Sequence, residues 1–295
     1  MLHKLILTLS LSLTSVVFSQ SESFKGAFEF GFMGGGSYYI GDLNPDLHFV
    51  YSKPAMGLIV RYNLSTRHSM RFTATYGNVY GDDSKSEDNY QINRNLSFSS
   101  SIIEIAMGFE LDVLKYRMKD MRYPITPYFF YEIAYFRMNP VAKNANGDDI
   151  VLQELGTEGQ GTLLSDKKQY SLNQLSIPLG IGVKFNIKDR IAISLEYGIR
   201  KTFTDYLDDV SGKYVNPYVL ASLKGPLAAQ LADPSLNGQS YTNLGIDRGN
   251  ANTKDWYAMY GIMLTFKPWK ANICKMQGFG SGKKSNKRRR KGRRR

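Results

Sequence analysis

The chain has 295 residues, 42% of them apolar and 22% charged, which excludes a disordered chain. No apolar run reaches the roughly 18 residues that a membrane-spanning helix needs, so the sequence holds no such helix. The chain is rich in Tyr (20), Phe (16) and Gly (27), a mixture that favours an all-β fold.

Most of the net charge of +12 lies at the C-terminus. Residues 283–295 contain ten of the 38 Lys and Arg and no acid, so the rest of the chain carries only +2. We therefore expect no nucleic-acid partner for the folded part, and we predict a disordered basic tail over residues 271–295.

The N-terminus has the pattern of a secretory signal peptide over residues 1–19. Lys4 precedes an apolar stretch at 5–18, and Val17 and Ser19 occupy positions −3 and −1 before a cleavage site. The alternative is a short buried helix of a cytosolic protein. The single cysteine, Cys274, is far from the cleavage site, which excludes a lipoprotein anchor there, an intramolecular disulfide and a Cys-based zinc site.

Residues 20–270 show strand patterns with hardly any helical period. The predicted strands are residues 26–39, 55–63, 68–80, 96–111, 126–139, 174–187, 190–204 and 256–266. In the seventh, apolar side chains from Ile191 to Ile199 alternate with small and charged ones. One broad apolar face and one small or charged face predict a barrel with its apolar side toward lipid. A soluble lipocalin-like or sandwich protein is the alternative.

The polar face supplies charges that would point into the barrel. They are Glu29, Arg61, Arg71, Glu104, Glu110, Glu132, Lys184, Glu196 and Arg200. Five negative and four positive charges would neutralise one another by ion pairing. The interior of an eight-stranded barrel is just wide enough to be filled by side chains, so we expect no water-filled channel.

The lengths of the connections support the same topology. Residues 40–54, 81–95, 140–173 and 205–255 are long and are predicted to be extracellular, whereas 64–67 and 188–189 are short and periplasmic. The connection at 112–125 is a long periplasmic exception with room for a short helix. The predicted fold is thus an all-β, eight-stranded antiparallel transmembrane β-barrel with long extracellular loops and a disordered, periplasmic basic tail.

A few loop residues could carry chemistry. Gly156, Gly159 and Gly161 resemble a phosphate-binding loop, but they lack the strand and helix that such a loop needs, so we interpret them as turns in an exposed loop. Acids at the outer rim, with His48, could form a hydrolase site, or they could simply be solvated; the rim acids are Asp82, Asp83, Asp205, Asp208 and Asp209. The last three could also bind calcium. We predict no enzyme, no cofactor and no metal site.

The aromatic residues at the ends of the last strand fit two interfacial girdles. Trp256 and Tyr257 lie at one end of that strand, and Phe266 and Trp269 at the other.

Six strings resemble the PorG-like proteins, which are small outer-membrane barrels of the type IX secretion system. They are GGGSYYIGDLNP from Gly34, RNLSF from Arg94, ELGTEGQGT from Glu154, YSLNQLSIPLGIGVKFNI from Tyr170, RKTFTDYLDDVSG from Arg200 and KDWYAMYGIMLTF from Lys254. The resemblance implies a structural protein of gliding-linked secretion in a Gram-negative bacterium. It implies contact with the periplasmic ring formed by a lipoprotein and its partner, PorK and PorN or their gliding counterparts. It does not cover the basic tail.

Two hypotheses follow. In the first, the protein is a non-enzymatic anchor for that ring, and its periplasmic contacts are Lys115, Arg117, Lys119, Arg122, Lys287, Arg288, Arg289 and Arg290. In the second, it is a stand-alone outer-membrane barrel that binds partners or ligands through its extracellular loops. On both hypotheses outer-membrane lipid surrounds the barrel.

Overall fold

The structure is a computed structural model that describes residues 26–118, 124–188, 190–236 and 243–268. The predicted signal peptide, the basic tail, Lys119, Arg122 and Trp269 lie outside these residues. Within the described residues, no helix is both long and apolar enough to cross a membrane.

Nine strands are present in the described chain. They are β1 (Ala27–Ile40), β2 (Lys53–Asn63), β3 (His68–Asp82), β4 (Ser97–Asp112), β5 (Ile125–Lys143), β6 (Asp149–Val151), β7 (Asn173–Lys188), β8 (Ile191–Thr202) and β9 (Trp256–Phe266). The eight predicted strands are confirmed, with ends that shift by no more than four residues. The short strand β6 was not predicted; it pairs with the end of β5 within a long connection.

Eight of these strands close into an antiparallel barrel. The hydrogen-bonded order is β4-β3-β2-β1-β9-β8-β7-β5, and pairing of β4 with β5 closes the ring. The first and last strands pair in register from Phe30 opposite Phe266 to Ile40 opposite Trp256. The predicted eight-stranded antiparallel barrel is therefore confirmed. Closure of the ring leaves no strand edge of the wall unpaired.

Four long connections lie at one end of the barrel, which we call the loop end. They are residues 41–52, 83–96, 144–172 and 203–255, and their described residues contain a 3₁₀ turn (Asp83–Lys85) and four short helices: α1 (Asn89–Arg94), α2 (Leu152–Leu155), α3 (Pro217–Lys224) and α4 (Pro226–Ala232). The opposite end, which we call the turn end, holds two short connections, the longer connection between β4 and β5, and both ends of the barrel chain. The described part of the connection after β4 forms no helix there.

Inward-facing glycines make room for aromatic rings inside the barrel. A Cβ at Gly182 would lie 2.3 Å from the Tyr128 ring, and one at Gly180 would lie 2.3 Å from the Phe130 ring. Both glycines belong to the alternating polar face of β7, so the side chains of β5 fill the space that they leave. The largest apolar cluster lies at the loop end, where residues of the long connections pack on Tyr39, Phe98, Phe136 and Tyr257 of the wall.

Candidate functional site

The outer wall of the barrel is apolar on every strand. Its exposed side chains include Phe28, Phe30, Phe32, Met56, Leu58, Phe72, Ile103, Ile105, Met107, Phe109, Phe129, Tyr131, Ile133, Tyr135, Leu175, Leu179, Ile181, Leu195, Ile262, Leu264 and Phe266. Monomeric soluble proteins rarely expose a contiguous apolar patch larger than a few hundred Å². A belt around the whole wall disfavours the soluble alternative and is typical of barrels that face lipid.

The interior contains a dense network of charges. The structure places all nine predicted inward charges inside the barrel, each at most 8% exposed. Arg71 lies at the centre of this network. Its guanidinium donates to Glu132 at 3.2 Å, to Glu110 at 3.3 Å and to both oxygens of Glu196 at 3.0 Å.

Ion pairs and hydrogen bonds extend the network toward both ends. Toward the turn end, Arg61 donates to Glu110 at 2.9 Å, and Lys184 bridges Glu110 and Asp112, the latter at 2.8 Å. Toward the loop end, Arg200 lies 3.5 Å from Glu104.

Two tyrosines missed as site residues complete the network. The Tyr128 hydroxyl donates to Glu196 at 2.7 Å, and the Tyr257 hydroxyl donates to Glu104 at 2.5 Å. From the sequence, alternation along the strand indicates only that these two side chains point inward. It does not indicate that a tyrosine hydroxyl donates to a buried carboxylate.

The interior carries more negative charge than the sequence analysis counted. Asp112 was assigned to a connection, but it is the last residue of β4 and lies buried inside. Six carboxyl groups therefore face four basic groups. Glu29 is held by an amide rather than a cation, since Asn63 donates to it at 2.7 Å. Neutralisation by ion pairs alone is thus incomplete among the described residues.

The turn end is closed by the chain itself. After β4 the connection folds back, and Tyr116 and Met118 pack against Ala192 inside the barrel mouth. Hydrogen bonds to its backbone fix it there. The Tyr116 N–H donates to the Thr66 carbonyl at 2.7 Å, and the Asn186 side-chain amide donates to the Arg117 carbonyl at 3.2 Å. Side chains therefore fill this end, and the described barrel offers no open channel.

The loop end is closed by a cap formed from the four long connections. Arg94 joins three of them: its guanidinium donates to Asp83 at 2.6 and 2.8 Å, to the Arg248 carbonyl at 2.7 Å and to the Asp42 carbonyl at 2.8 Å. Each is a charge-assisted bond in a buried setting, so the connections are held as one packed unit rather than as separate loops.

A second buried guanidinium joins the connection at 144–172 to the connection at 203–255. Arg248 donates to the Asp209 carbonyl at 2.5 Å and to the Glu158 carboxylate at 3.3 Å. Glu158 also accepts the backbone N–H groups of Ser211 and Gly212 at 2.8 and 2.9 Å. The ELGTEGQGT segment is therefore a structural centre of the cap.

Burial raises the pKa of several acids in the cap. For Asp209 burial outweighs the opposing effect of Arg248, and its pKa rises to about 6. For Asp208 and Asp255, burial raises the pKa of each carboxyl group well above its usual value. The Asp255 carboxylate raises the pKa of Asp208 further, and Asp205 and Asp42 raise that of Asp255. Asp208 and Asp255 both accept a hydrogen bond from Tyr39, at 2.5 and 3.1 Å.

The interpretation of the rim acids as solvated was wrong for four of the five, whereas Asp82 is partly exposed. Asp83, Asp208 and Asp209 are buried, and each accepts a hydrogen bond inside the cap. Asp205 is buried 3.8 Å from the Lys254 ammonium. The calcium hypothesis also fails, since the three aspartates of the 205–209 segment point to different partners. No group of metal-ligating acids, histidines and cysteines is found in the described chain.

The structure does not assemble the rim hydrolase considered above. The ring of His48 lies 3.0 Å from the Tyr38 hydroxyl on the outer side of the wall. Asp208 instead contacts Tyr39, the next residue, whose side chain points inward. Histidine and carboxylate therefore lie on opposite sides of β1.

The expectation that the glycine loop is exposed was wrong for Gly156 and Gly159 and right for Gly161. Gly156, Gly159 and Gly161 have φ angles of 59°, 75° and 71°, which fits the predicted turns. Residues 156–160 are nevertheless buried, because Glu158 lies at the centre of the contacts with Arg248.

One predicted girdle residue is misplaced. Tyr257 faces the interior and is fully buried, whereas its neighbour Trp256 faces outward, as does Phe266 at the other end of β9. The error comes from assigning adjacent residues of one strand to the same face, although successive side chains point to opposite faces.

The predicted partner contacts fall into two groups. Lys115 and Arg117 are exposed at the turn end, on the segment whose Tyr116 and Met118 enter the barrel. Lys119, Arg122, Lys287, Arg288, Arg289 and Arg290 lie outside the described residues.

The closed wall, filled interior and apolar outer surface define a small β-barrel of the outer-membrane type. A sequence profile of the family described as Domain of unknown function (DUF6089) matches residues 4–224. The chain belongs to this family. Among curated protein sequences, none matches it significantly.

The chain is similar to three solved structures, among others. Ail, the attachment invasion locus protein of Yersinia pestis, is 8% identical with a TM-score of 0.39, covering 83% of this chain and 99% of Ail. Neisserial surface protein A is 11% identical with a TM-score of 0.38, with the same shares covered. OprG from Pseudomonas aeruginosa is 11% identical with a TM-score of 0.37, covering 81% of this chain and 96% of OprG. At this level of similarity they carry no argument about function.

Proposed function

We propose that the protein is a non-enzymatic barrel of the bacterial outer membrane that acts as an anchor in type IX protein secretion. The observation that carries this proposal is that the interior is filled and both ends are closed by the chain itself. A barrel of this kind has no passage for a substrate. Its contribution to secretion must therefore come from contacts at its surfaces.

The proposed partner is a periplasmic ring built by a lipoprotein and its partner protein, of the PorK and PorN kind or their gliding counterparts. The support for this partner is the resemblance of six strings in the sequence to PorG-like proteins. In this orientation the loop end is extracellular and the turn end periplasmic. The chain enters β1 and leaves β9 at the turn end, so the basic tail is then periplasmic as well.

The turn end offers a fixed surface for such a contact. The segment at 113–118 is held by backbone hydrogen bonds, including one from the N–H of Val113 to the carbonyl of Pro127 at 2.9 Å. Lys115 and Arg117 are exposed residues of this fixed segment. Cations held in a defined position can pair with acidic side chains of a partner at a smaller entropic cost than cations on a mobile loop.

The test is a crosslinking pull-down of the tagged protein from native membranes. Recovery of the ring lipoprotein with the wild type supports the proposal, and Lys115→Glu should reduce that recovery. Lys143→Glu is the matched control, because Lys143 is an exposed lysine at the loop end. Equal recovery with all three proteins, or secretion that continues normally in a deletion strain, would contradict the anchor role.

A second candidate function is ligand binding at the loop end. The observation that favours it is a pair of clefts in the cap, of about 410 and 580 Å³, which both border Asp247, Gly249 and Asn250. In this case the turn-end variant would behave as wild type, and partner recovery would depend on the cap instead.

A further inference from the structure

An apolar groove of about 700 Å³ crosses the outer wall of the barrel. It is lined by residues of five adjacent strands, β5, β7, β8, β9 and β1. The outward-facing residues at its border include Phe129, Ile181, Leu195, Tyr197, Tyr260 and Ile262. The surface is therefore indented here.

The groove exists because β1 changes composition along its outward face. This face begins with Phe28, Phe30 and Phe32 and continues with Gly34 and Gly36, which have no side chain. The Tyr260 ring lies over Gly36, since a Cβ there would be 2.7 Å from the tyrosine hydroxyl oxygen. A Cβ at Gly34 would meet no atom within 4 Å, so this position opens into the groove.

The side of the groove toward the loop end has hydrogen-bonding groups. The Tyr38 hydroxyl lies 2.7 Å from the Tyr197 hydroxyl and 3.0 Å from a ring nitrogen of His48. Phe49 covers this cluster, with its ring 5.0 Å from that of Tyr38 and 5.2 Å from that of Tyr260. The connection at 41–52 thus folds down over the outer wall and leaves Tyr38 fully buried, although Tyr38 faces outward.

A cation lies beyond this cluster on the same face of β8. Lys201 is four residues past Tyr197, a distance of about 13 Å along an extended strand. Its Nζ atom is 5.5 Å from the centre of the Trp256 ring. Toward the loop end, the apolar groove is therefore followed by the covered cluster of Tyr38, Tyr197 and His48 and then by the exposed Lys201.

We propose that this groove is a binding site for an acyl chain of a phosphorylated bilayer lipid, with the phosphate beside Lys201. The proposal rests on the barrel lying in a membrane, but not on a type IX partner. At the depth of the groove the bilayer is the surrounding solvent, so the occupant is a hydrocarbon chain. Pockets with an apolar lining and a few polar groups at one end favour one orientation of an amphipathic ligand. A lysine at the interface supplies the charge that a phosphate needs.

Native mass spectrometry of the full chain in detergent, titrated with dimyristoyl phosphatidylglycerol, tests the site. We expect the wild type to retain one lipid more tightly than the others. Gly34→Trp fills the groove and should weaken this retention by about tenfold, and Gly34→Leu should act in the same direction. Met56→Trp is the matched control, because Met56 pairs with Gly34 in the sheet register and is exposed on the outer wall next to it.

The headgroup assignment has its own comparison. Wild type should prefer dimyristoyl phosphatidylglycerol to dimyristoylglycerol, which has the same chains without the phosphate, and Lys201→Gln should remove that preference. If Lys201→Gln kept the preference, the role of Lys201 would be overturned. If Gly34→Trp retained lipid as well as Met56→Trp, the groove would hold only the lipid that surrounds any barrel, and the site would be overturned.

Heat-modifiable migration in SDS separates failure of this site from failure of the fold. All variants should show the same shift on boiling, because the substituted side chains face outward. If wild-type protein from membranes did not migrate as a folded barrel in unboiled SDS samples, the membrane location would be contradicted instead, and with it the proposed function.

Discussion

Removal of the Arg71 guanidinium tests whether the interior is held together by charge. Arg71 donates to three buried carboxylates and lies 4.0 Å from the centre of the Phe130 ring. Breaking a buried ion pair by removing one partner costs about 3–5 kcal/mol. Arg71→Met leaves three carboxylates without this partner, so we expect a loss in the free energy of unfolding near the upper end, about 5 kcal/mol.

A second substitution shows whether the loss comes from charge or from packing. Arg71→Met leaves six carboxyl groups facing three cations, and adding Glu196→Met reduces them to five. If uncompensated charge causes the loss, the double variant should be more stable than Arg71→Met alone by at least about 1 kcal/mol. Phe72→Leu is the control, because Phe72 is the next residue on β3 and faces outward.

Urea unfolding in lipid vesicles, followed by tyrosine fluorescence and by heat-modifiable migration, measures these free energies. If Arg71→Met cost no more than Phe72→Leu, the interior network would not stabilise the barrel. If the double variant were no more stable than Arg71→Met, the contribution of charge would be refuted.

Three further predictions concern the cap and the tail. Burial raises the pKa of Asp209 from 3.8 to about 6. Between these two pH values the folded cap holds a proton that the unfolded chain releases. The stability of the cap should therefore fall as pH rises from about 4 to about 6. Hydrogen exchange of the cap, corrected for intrinsic rates, should be slower at pH 5 than at pH 7, and Asp209→Asn should reduce the difference. Arg94→Met should expose the cap to trypsin while the barrel still shifts on boiling. If trypsin digested the wild type and Arg94→Met equally, the role of Arg94 in joining the connections would be contradicted. Deletion of residues 283–295 should leave the barrel folded but weaken ring co-purification in a salt-sensitive manner, and recovery that is equal at low and high salt would exclude a docking role.

The sequence by itself determined the wall of the barrel. Alternation along each strand defines an apolar and a polar face, because side chains in a strand point to opposite sides with a period of two. That rule placed Glu196 and Arg200 inside and Leu195 and Tyr197 outside. It also predicted the end of the barrel to which each connection belongs, since hairpins joined in sequence must alternate between the two ends.

Only the tertiary structure decided which residues meet. Glu196 and Arg200 lie on one strand and face the same way, yet Glu196 pairs with Arg71 and Arg200 with Glu104 on the far side of the barrel. These partners depend on ring closure and on the stagger of the strands, which no local pattern encodes. The cap was unpredictable for a related reason. Its acids appeared solvated because loops rich in Gly, Asp and Asn usually are. Here Glu158 and Asp209 are buried because Arg248, which is distant from both in sequence, pairs with them once the connections have packed together.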